Sequence, residues 1–223
     1  MKDLIDIKYW IFDLDNTLYS GQTKVFAEVS KNMSAYISKK LDIDLLEAKE
    51  LQKKYFYENG TTLSGLMRYD KIDPHEFLEF VHNIDISWLP KDLLLRQELI
   101  KIKEKKYIFS NGSHSHVKNV TKQLGIEDLF DGVFAITDAD FVPKPNVEPY
   151  KKMIKKFDLD PKKSILIEDI AHNLEQAKNL GMKTCWLENN DTFAKKDADK
   201  PYIDYKIKSL PSFLQEINVL KTA

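Results

Sequence analysis

Five short runs along the chain are continuously apolar: Tyr9-Trp10-Ile11-Phe12, Tyr107-Ile108-Phe109, Val133-Phe134-Ala135-Ile136, Ser164-Ile165-Leu166-Ile167 and Thr184-Cys185-Trp186-Leu187. They do not alternate with polar residues, which is how strands covered on both faces of a parallel sheet read. Stretches with helical spacing separate them. Val117, Val120 and Leu124 share one face, as do Leu174, Ala177 and Leu180. Each stretch runs into a glycine, Gly125 or Gly181, placed for a left-handed C-cap. Strand, helix and strand with short joins predict a doubly wound α/β core around a parallel sheet.

The segment from about Leu18 to Pro90 breaks this rhythm. It lacks strand-like runs and predicts helices over 25–41, with Val25, Val29, Met33, Tyr36 and Ile37 on one stripe, over about 45–57 and over about 74–81. The expected organisation is a core of residues 1–17 and 91–223 with an all-helical cap, residues 18–90, inserted between the first two strands.

Ligands of open α/β sheets bind beyond the carboxyl ends of the strands. The residues there are Asp13-Leu14-Asp15-Asn16-Thr17, Ser110-Asn111-Gly112 and Glu168-Asp169, joined by Lys144 between Pro143 and Pro145. Each pair of like charges about 4 Å apart costs about 4 kcal/mol at an effective dielectric near 20. Four carboxylates against one lysine therefore call for a further cation, and all-oxygen donors favour a hard ion such as Mg2+. Taken singly, each motif also reads as a polar turn or a helix N-cap. Their joint occurrence at strand ends argues for a site.

Bulk composition narrows the classes. The 223 residues are 43% hydrophobic and 31% charged, with a formal net charge of -1. No global field draws the chain to a nucleic acid polymer or an anionic membrane. The single cysteine, Cys185, excludes an intrachain disulfide and sits in an apolar run, where a small buried residue is expected. The N-terminal residues do not resemble a signal peptide, and no apolar stretch is long enough to cross a bilayer. The expectation is a cytoplasmic protein, a monomer or weak dimer.

Asp13-Leu14-Asp15-Asn16-Thr17 resembles the Asp-x-Asp-x-Thr motif of the haloacid-dehalogenase-like (HAD) superfamily. Ser110, Lys144 and Glu168-Asp169 are similar to its three later motifs, in order. The resemblance implies a Rossmann-like core and a phosphohydrolase. Asp13 would attack phosphorus, and Asp15 would act as acid and then base. Ser110 and Asn111, with Lys144, would hold the phosphoryl oxygens. Mg2+ would sit on Asp13, the Asp15 carbonyl and Asp169, with Glu168 ligating directly or through water. An acid at position 15 favours phosphate esters over halides or phosphonates.

A narrower likeness, carried by Asp13 to Tyr19, Tyr55 to Leu66, Phe109 to Gly112 with His116, and Asn173 to Lys178, is to pyrimidine 5′-nucleotidases. It implies a nucleoside 5′-monophosphate as the small-molecule partner. Departures are Ser110-Asn111-Gly112 for Thr-Asn-Ala and Glu168-Asp169-Ile170 for Asp-Asp-Ser. Other readings are a sugar-phosphate or phosphoglycolate phosphatase, a phosphomutase, or a non-catalytic phosphate- or nucleotide-binding protein.

Further residues carry two readings each. His114 and His116, two apart on a helix, do not share a face and make a poor metal pair. His116 is expected either in the site or on the helix surface. His172 is expected to face solvent, and Arg68 to form a surface ion pair or clamp a phosphate or base. Tyr55-Phe56-Tyr57 is expected to pack cap on core before it stacks a base.

Overall fold

The computed structural model describes residues 1–222. Six strands form one parallel sheet: β1 (Tyr9–Phe12), β2 (Lys105–Phe109), β3 (Gly132–Phe134), β4 (Ser164–Glu168), β5 (Lys183–Leu187) and β6 (Tyr205–Ile207). Their order is β3-β2-β1-β4-β5-β6, and all five pairings are parallel. The chain therefore reverses its winding at β1, where Tyr9 registers with Lys105 on one side and Ser164 on the other. That reversal opens the crevice in which open α/β sheets hold ligands.

The continuous apolar runs have a simple cause. Successive strand residues point to opposite faces, and both faces are covered. Trp10, Phe12, Ile108, Ile165, Ile167 and Cys185 enter one hydrophobic cluster, with α5 (Leu93–Lys101), α6 (His114–Leu124) and α9 (Leu210–Thr222). Ile11, Tyr107, Phe109, Leu166 and Trp186 enter the other, with α7 (Val147–Phe157) and α8 (Leu174–Asn179). Trp10, Ile11 and Phe12 are fully buried. Each such side chain contributes roughly 1.5–3 kcal/mol, which anchors β1 immediately before Asp13.

Gly125 and Gly181 both have positive φ, 74° and 98°, as their places after α6 and α8 predict. The third apolar run is shorter as a strand than expected, since Ala135 and Ile136 already turn into the loop after β3. The edge strand β6 left no readable signal, being three residues with Lys206 exposed.

Between β1 and β2 lie α1 (Val25–Leu41), α2 (Leu45–Asn59), α3 (Thr62–Gly65), a π-helical turn (Leu66–Asp70) and α4 (Pro74–Val81). α1 and α4 match the predicted helices, and α2 runs two residues further. Asp44 caps α2 through its side chain, and Asp73 caps α4. These helices share a hydrophobic cluster of their own, to which the core contributes Ile136 and Phe141. Phe56 and Tyr57 of α2 also pack on Phe193 of the loop after β5, with ring centroids 4.5 and 5.6 Å apart. Among the described residues no helix is long and apolar enough to cross a membrane.

Candidate active site

The backbone amide of Asp13 donates to Ile167 O at 2.9 Å, extending the β1–β4 ladder one step past the strand. Leu14 and Leu18 are buried on either side of a turn that returns the Leu18 amide to Leu14 O. Asn16 makes that turn in the left-handed region, φ 62°, which asparagine tolerates better than most residues. The result brings Asp13 and Asp15 onto one cleft of about 2090 Å³ between the sheet edge and the inserted helices.

Lys144 is 2% exposed and uses all three donors. Its Nζ donates to Asp13 Oδ1 at 2.8 Å, Glu168 Oε2 at 2.7 Å and Phe109 O at 2.9 Å. Asn111 steers it: the Lys144 amide donates to Asn111 Oδ1, and Asn111 Nδ2 donates back to Lys144 O. The Asn111 side chain is thus spent on the lysine loop.

Glu168 is committed on both oxygens, since Oε1 accepts from Asn173 Nδ2 and the Ile170 amide. Among the described residues the Asp169 carboxylate accepts only from Asn189 Nδ2, on Oδ2. Ser110 is buried, and its Oγ accepts from the Gly112 amide.

The charges do not balance. Asp13, Glu168 and Asp169 are buried and offer carboxylate oxygens within 4.8 Å of one another, against one ammonium. Burial and then the Glu168 charge push Asp13 up to about 7, despite Lys144. Burial, Glu168 and Asp13 raise Asp169 well above the carboxylate range. Burial alone would depress Lys144, but Asp13 and Glu168 outweigh it and hold the ammonium above its ordinary range. Three crowded hard-oxygen donors with surplus negative charge fit a divalent cation such as Mg2+.

Asp15 differs. Its Oδ1 accepts from Tyr19 Oη at 2.6 Å and lies 2.7 Å from His116 Nε2. Burial works against its ionised form, but His116 and then Tyr19 bring it down to about 2. Tyr19 stays protonated, its pKa raised by burial and by Asp15. His116 is 1% exposed, with the His82 ring stacked on it at 4.4 Å. Burial, then His116, lowers His82 to about 3.

A family profile described as haloacid dehalogenase-like hydrolase matches residues 7–181. The chain belongs to that hydrolase family. It is 31% identical over 193 residues to phosphate metabolism protein 8 of Saccharomyces cerevisiae, covering 78% of this chain and 60% of the yeast protein. The chain thus spans under two thirds of that relative's length. It is 30% identical to the glyceraldehyde 3-phosphate phosphatase of Pyrococcus furiosus, over 94% of this chain and 92% of the relative. A solved HAD phosphatase from Thermococcus onnurineus has the same fold, with a TM-score of 0.62 at 19% identity over 95% of this chain and 97% of the other.

Asp13, Asp15, Asn111, Lys144, Glu168 and Asp169 therefore line one cleft, and Ser110 lies buried behind it, joined through its Oγ to the Gly112 amide. The other sequence candidates separate. His114 turns away to Asp138, 2.8 Å distant, while His116 turns inward, so the two do not form a metal pair. His172 is half-exposed, 3.4 Å from Asp197. Arg68 lines the cleft with its guanidinium 5.3 Å from the Tyr69 ring centroid and is in no ion pair among the described residues, so of its two expected places the cleft is the one observed. Tyr55, a member of the helical cluster, stacks on the exposed Tyr69. Sequence reasoning did not single out Asn189 or His82. Neither belongs to a motif, and both reach the site from distant elements.

Proposed function

We propose that the chain is a Mg2+-dependent phosphohydrolase of small phosphate monoesters, acting through an aspartyl-phosphate on Asp13. The observation that carries this reading is Asp13 itself, seated at the end of β1 with Lys144 on one oxygen and Asp15 two residues on. Asp13 Oδ2 and Asp169 Oδ1 accept no hydrogen bond from the described residues, so they and the Asp15 carbonyl are the atoms we assign to the ion. A bound Mg2+ would hold Asp13 ionised and neutralise charge on the phosphoryl oxygens. Glu168 serves chiefly by fixing Lys144 and would meet the ion directly or through water.

The chain's own residues then divide the work. Asp13 attacks phosphorus in line, and the ester P–O bond breaks. Asp15 gives a proton to the leaving oxygen. It takes one from the water that next attacks phosphorus and frees Asp13 and inorganic phosphate. Without substrate beside it Asp15 is ionised, the form that accepts water's proton. The charge of a bound phosphate raises its pKa toward the donating form. Ser110 Oγ and the backbone of Asn111 hold the transferring oxygens, and the charge of Lys144 beside Asp13 offsets theirs.

We read residues 18–90 as the cap. Within the class, nucleoside 5′-monophosphates fit best: the cleft is wide, and the likeness to pyrimidine 5′-nucleotidases includes cap residues Tyr55 to Leu66. The end-to-end similarity to a glyceraldehyde 3-phosphate phosphatase supports a triose phosphate as the second reading. Phosphate release with Mg2+ from UMP, CMP, AMP, GMP, glyceraldehyde 3-phosphate, phosphoglycolate and a hexose phosphate decides between them, with Asp13→Asn as control. Turnover confined to pyrimidine 5′-monophosphates supports the first. Turnover confined to triose phosphate supports the second, and release from none overturns the hydrolase reading.

A further inference from the structure

Asp15 is held by the two connections that join the helical insert to the core. Tyr19 lies on the outgoing connection, between β1 and α1, and donates to Asp15 Oδ1. His82 lies on the returning connection, directly after α4, and is 8% exposed. Its ring stacks on that of His116 at 4.4 Å and 16°. Its Nδ1 is 2.8 Å from Ser113 Oγ. Ser113 is also the N-cap of α6, and its Oγ accepts from the His116 amide. His82 therefore grips both the His116 ring and the cap that sets the His116 backbone.

The remaining side of His116 is closed by Gly112, where a Cβ would stand 3.1 Å from His116 Cδ2. Bounded by Asp15, His82 and Gly112, the imidazole has one direction in which to present Nε2. A histidine pair serving only to fill space has no need of a 2.7 Å contact to a carboxylate in the cleft. Both contacts fall on the same oxygen, which leaves Asp15 Oδ2 for the reacting atoms.

We propose that Tyr19, His116 and His82 are positioning residues that tie the direction of the Asp15 carboxylate to the seating of the helical insert. The inference rests on the reading of Asp15 as acid and base. Moving the insert shifts the His82 ring, frees His116 and loosens Asp15, while the Asp13–Lys144 contacts, which involve core residues alone, stay as they are.

The test uses the full chain with saturating Mg2+ and two esters. An alkyl phosphate needs a proton on its leaving oxygen, and p-nitrophenyl phosphate does not. His116→Phe keeps a ring without the donor, and His82→Ala removes the stack. Both are expected to lower kcat on the alkyl ester by about tenfold to a hundredfold, with KM within about twofold. On p-nitrophenyl phosphate they are expected to give a rapid burst of one p-nitrophenol per site followed by slow release, because only the second step still needs Asp15. His116→Gln, which restores a donor, recovers part of the alkyl-ester rate, and Tyr19→Phe loses less than His116→Phe.

Wild-type kcat on the alkyl ester in both His variants overturns the proposal, as does an equal loss on both esters without a burst. If His82→Ala does not fold, by far-UV circular dichroism, His116→Phe and Tyr19→Phe decide alone. Asp15→Asn separates the two levels: full alkyl-ester turnover in that variant rejects the acid–base reading itself, whatever the histidines do.

Discussion

The two carboxylates of the Asp13–Asp15 motif sit two residues apart in opposite environments. Asp13 shares its surroundings with two more buried carboxylates and a single ammonium, all delivered by the α/β core. Asp15 meets a phenol and an imidazole, backed by a residue from the end of the helical insert. Their pKa values move apart accordingly, Asp13 up to about 7 and Asp15 down to about 2. One half of the site stores surplus charge to be met by an ion, and the other fixes a direction with directional donors. On the proposed reading, Asp13 as nucleophile and Asp15 as proton carrier need those different things.

The largest effect that would sharpen this contrast is Asp13→Asn. It should lower turnover by at least about a thousandfold while leaving substrate binding in place, measured by phosphate release and calorimetry. Residual turnover near wild type would move the nucleophile elsewhere.

Lys144→Met comes next. It strands buried carboxylates that the lysine now satisfies, and unfolding stability without added metal should fall by about 3–5 kcal/mol in urea titrations. An unchanged midpoint would show that the charged half is not held by this lysine.

A smaller effect concerns the ion. Adding Mg2+ to chelator-treated protein should raise the midpoint of thermal unfolding, in a concentration-dependent way, by about 2.7 kcal/mol of stability at a hundredfold excess over Kd. Asp169→Asn should abolish that rise, whereas His116→Phe should preserve it. Loss of the rise in His116→Phe would break the separation of the two halves.

The smallest is Asn189→Ala, which removes one hydrogen bond to Asp169 and should cost about 1 kcal/mol of stability with a modest loss of Mg2+ affinity.

The fold was legible wherever burial is two-sided. Trp10-Ile11-Phe12 and Ile165-Leu166-Ile167 have no polar face, and only a covered parallel strand accounts for that in so few residues. β6 was not legible because it lies at an edge and carries an exposed lysine. The carboxylates of the charged half were legible for a related reason: Asp13, Glu168 and Asp169 sit at or directly after strand ends, so sequence position gives spatial position.

The positioning half was only partly so. His116 was ambiguous between site and surface, because helix spacing does not say which face meets the crevice. His82 was invisible, since its neighbours His116 and Ser113 are more than thirty residues away and no local pattern marks it. Arg68 was left between a surface ion pair and a clamp on phosphate or base, and its place on the cleft wall removes it from the first. A lone arginine on a short helical turn gives no hint that an aromatic ring, Tyr69, will lie beside its guanidinium.

The central place of β1 in the sheet has a consequence for how the chain reaches this state. Its partners lie roughly 95 residues away, at Lys105, and roughly 155 away, at Ser164. Loops that long must close before the strand gains either neighbour, so folding is expected to be slow for the protein's size. During synthesis Trp10, Ile11 and Phe12 are made well before the partners at Lys105 and Ser164 that seat them. Until β4 is made, the strand that ends at Asp13 is a sticky apolar edge, the kind of segment that chaperones hold.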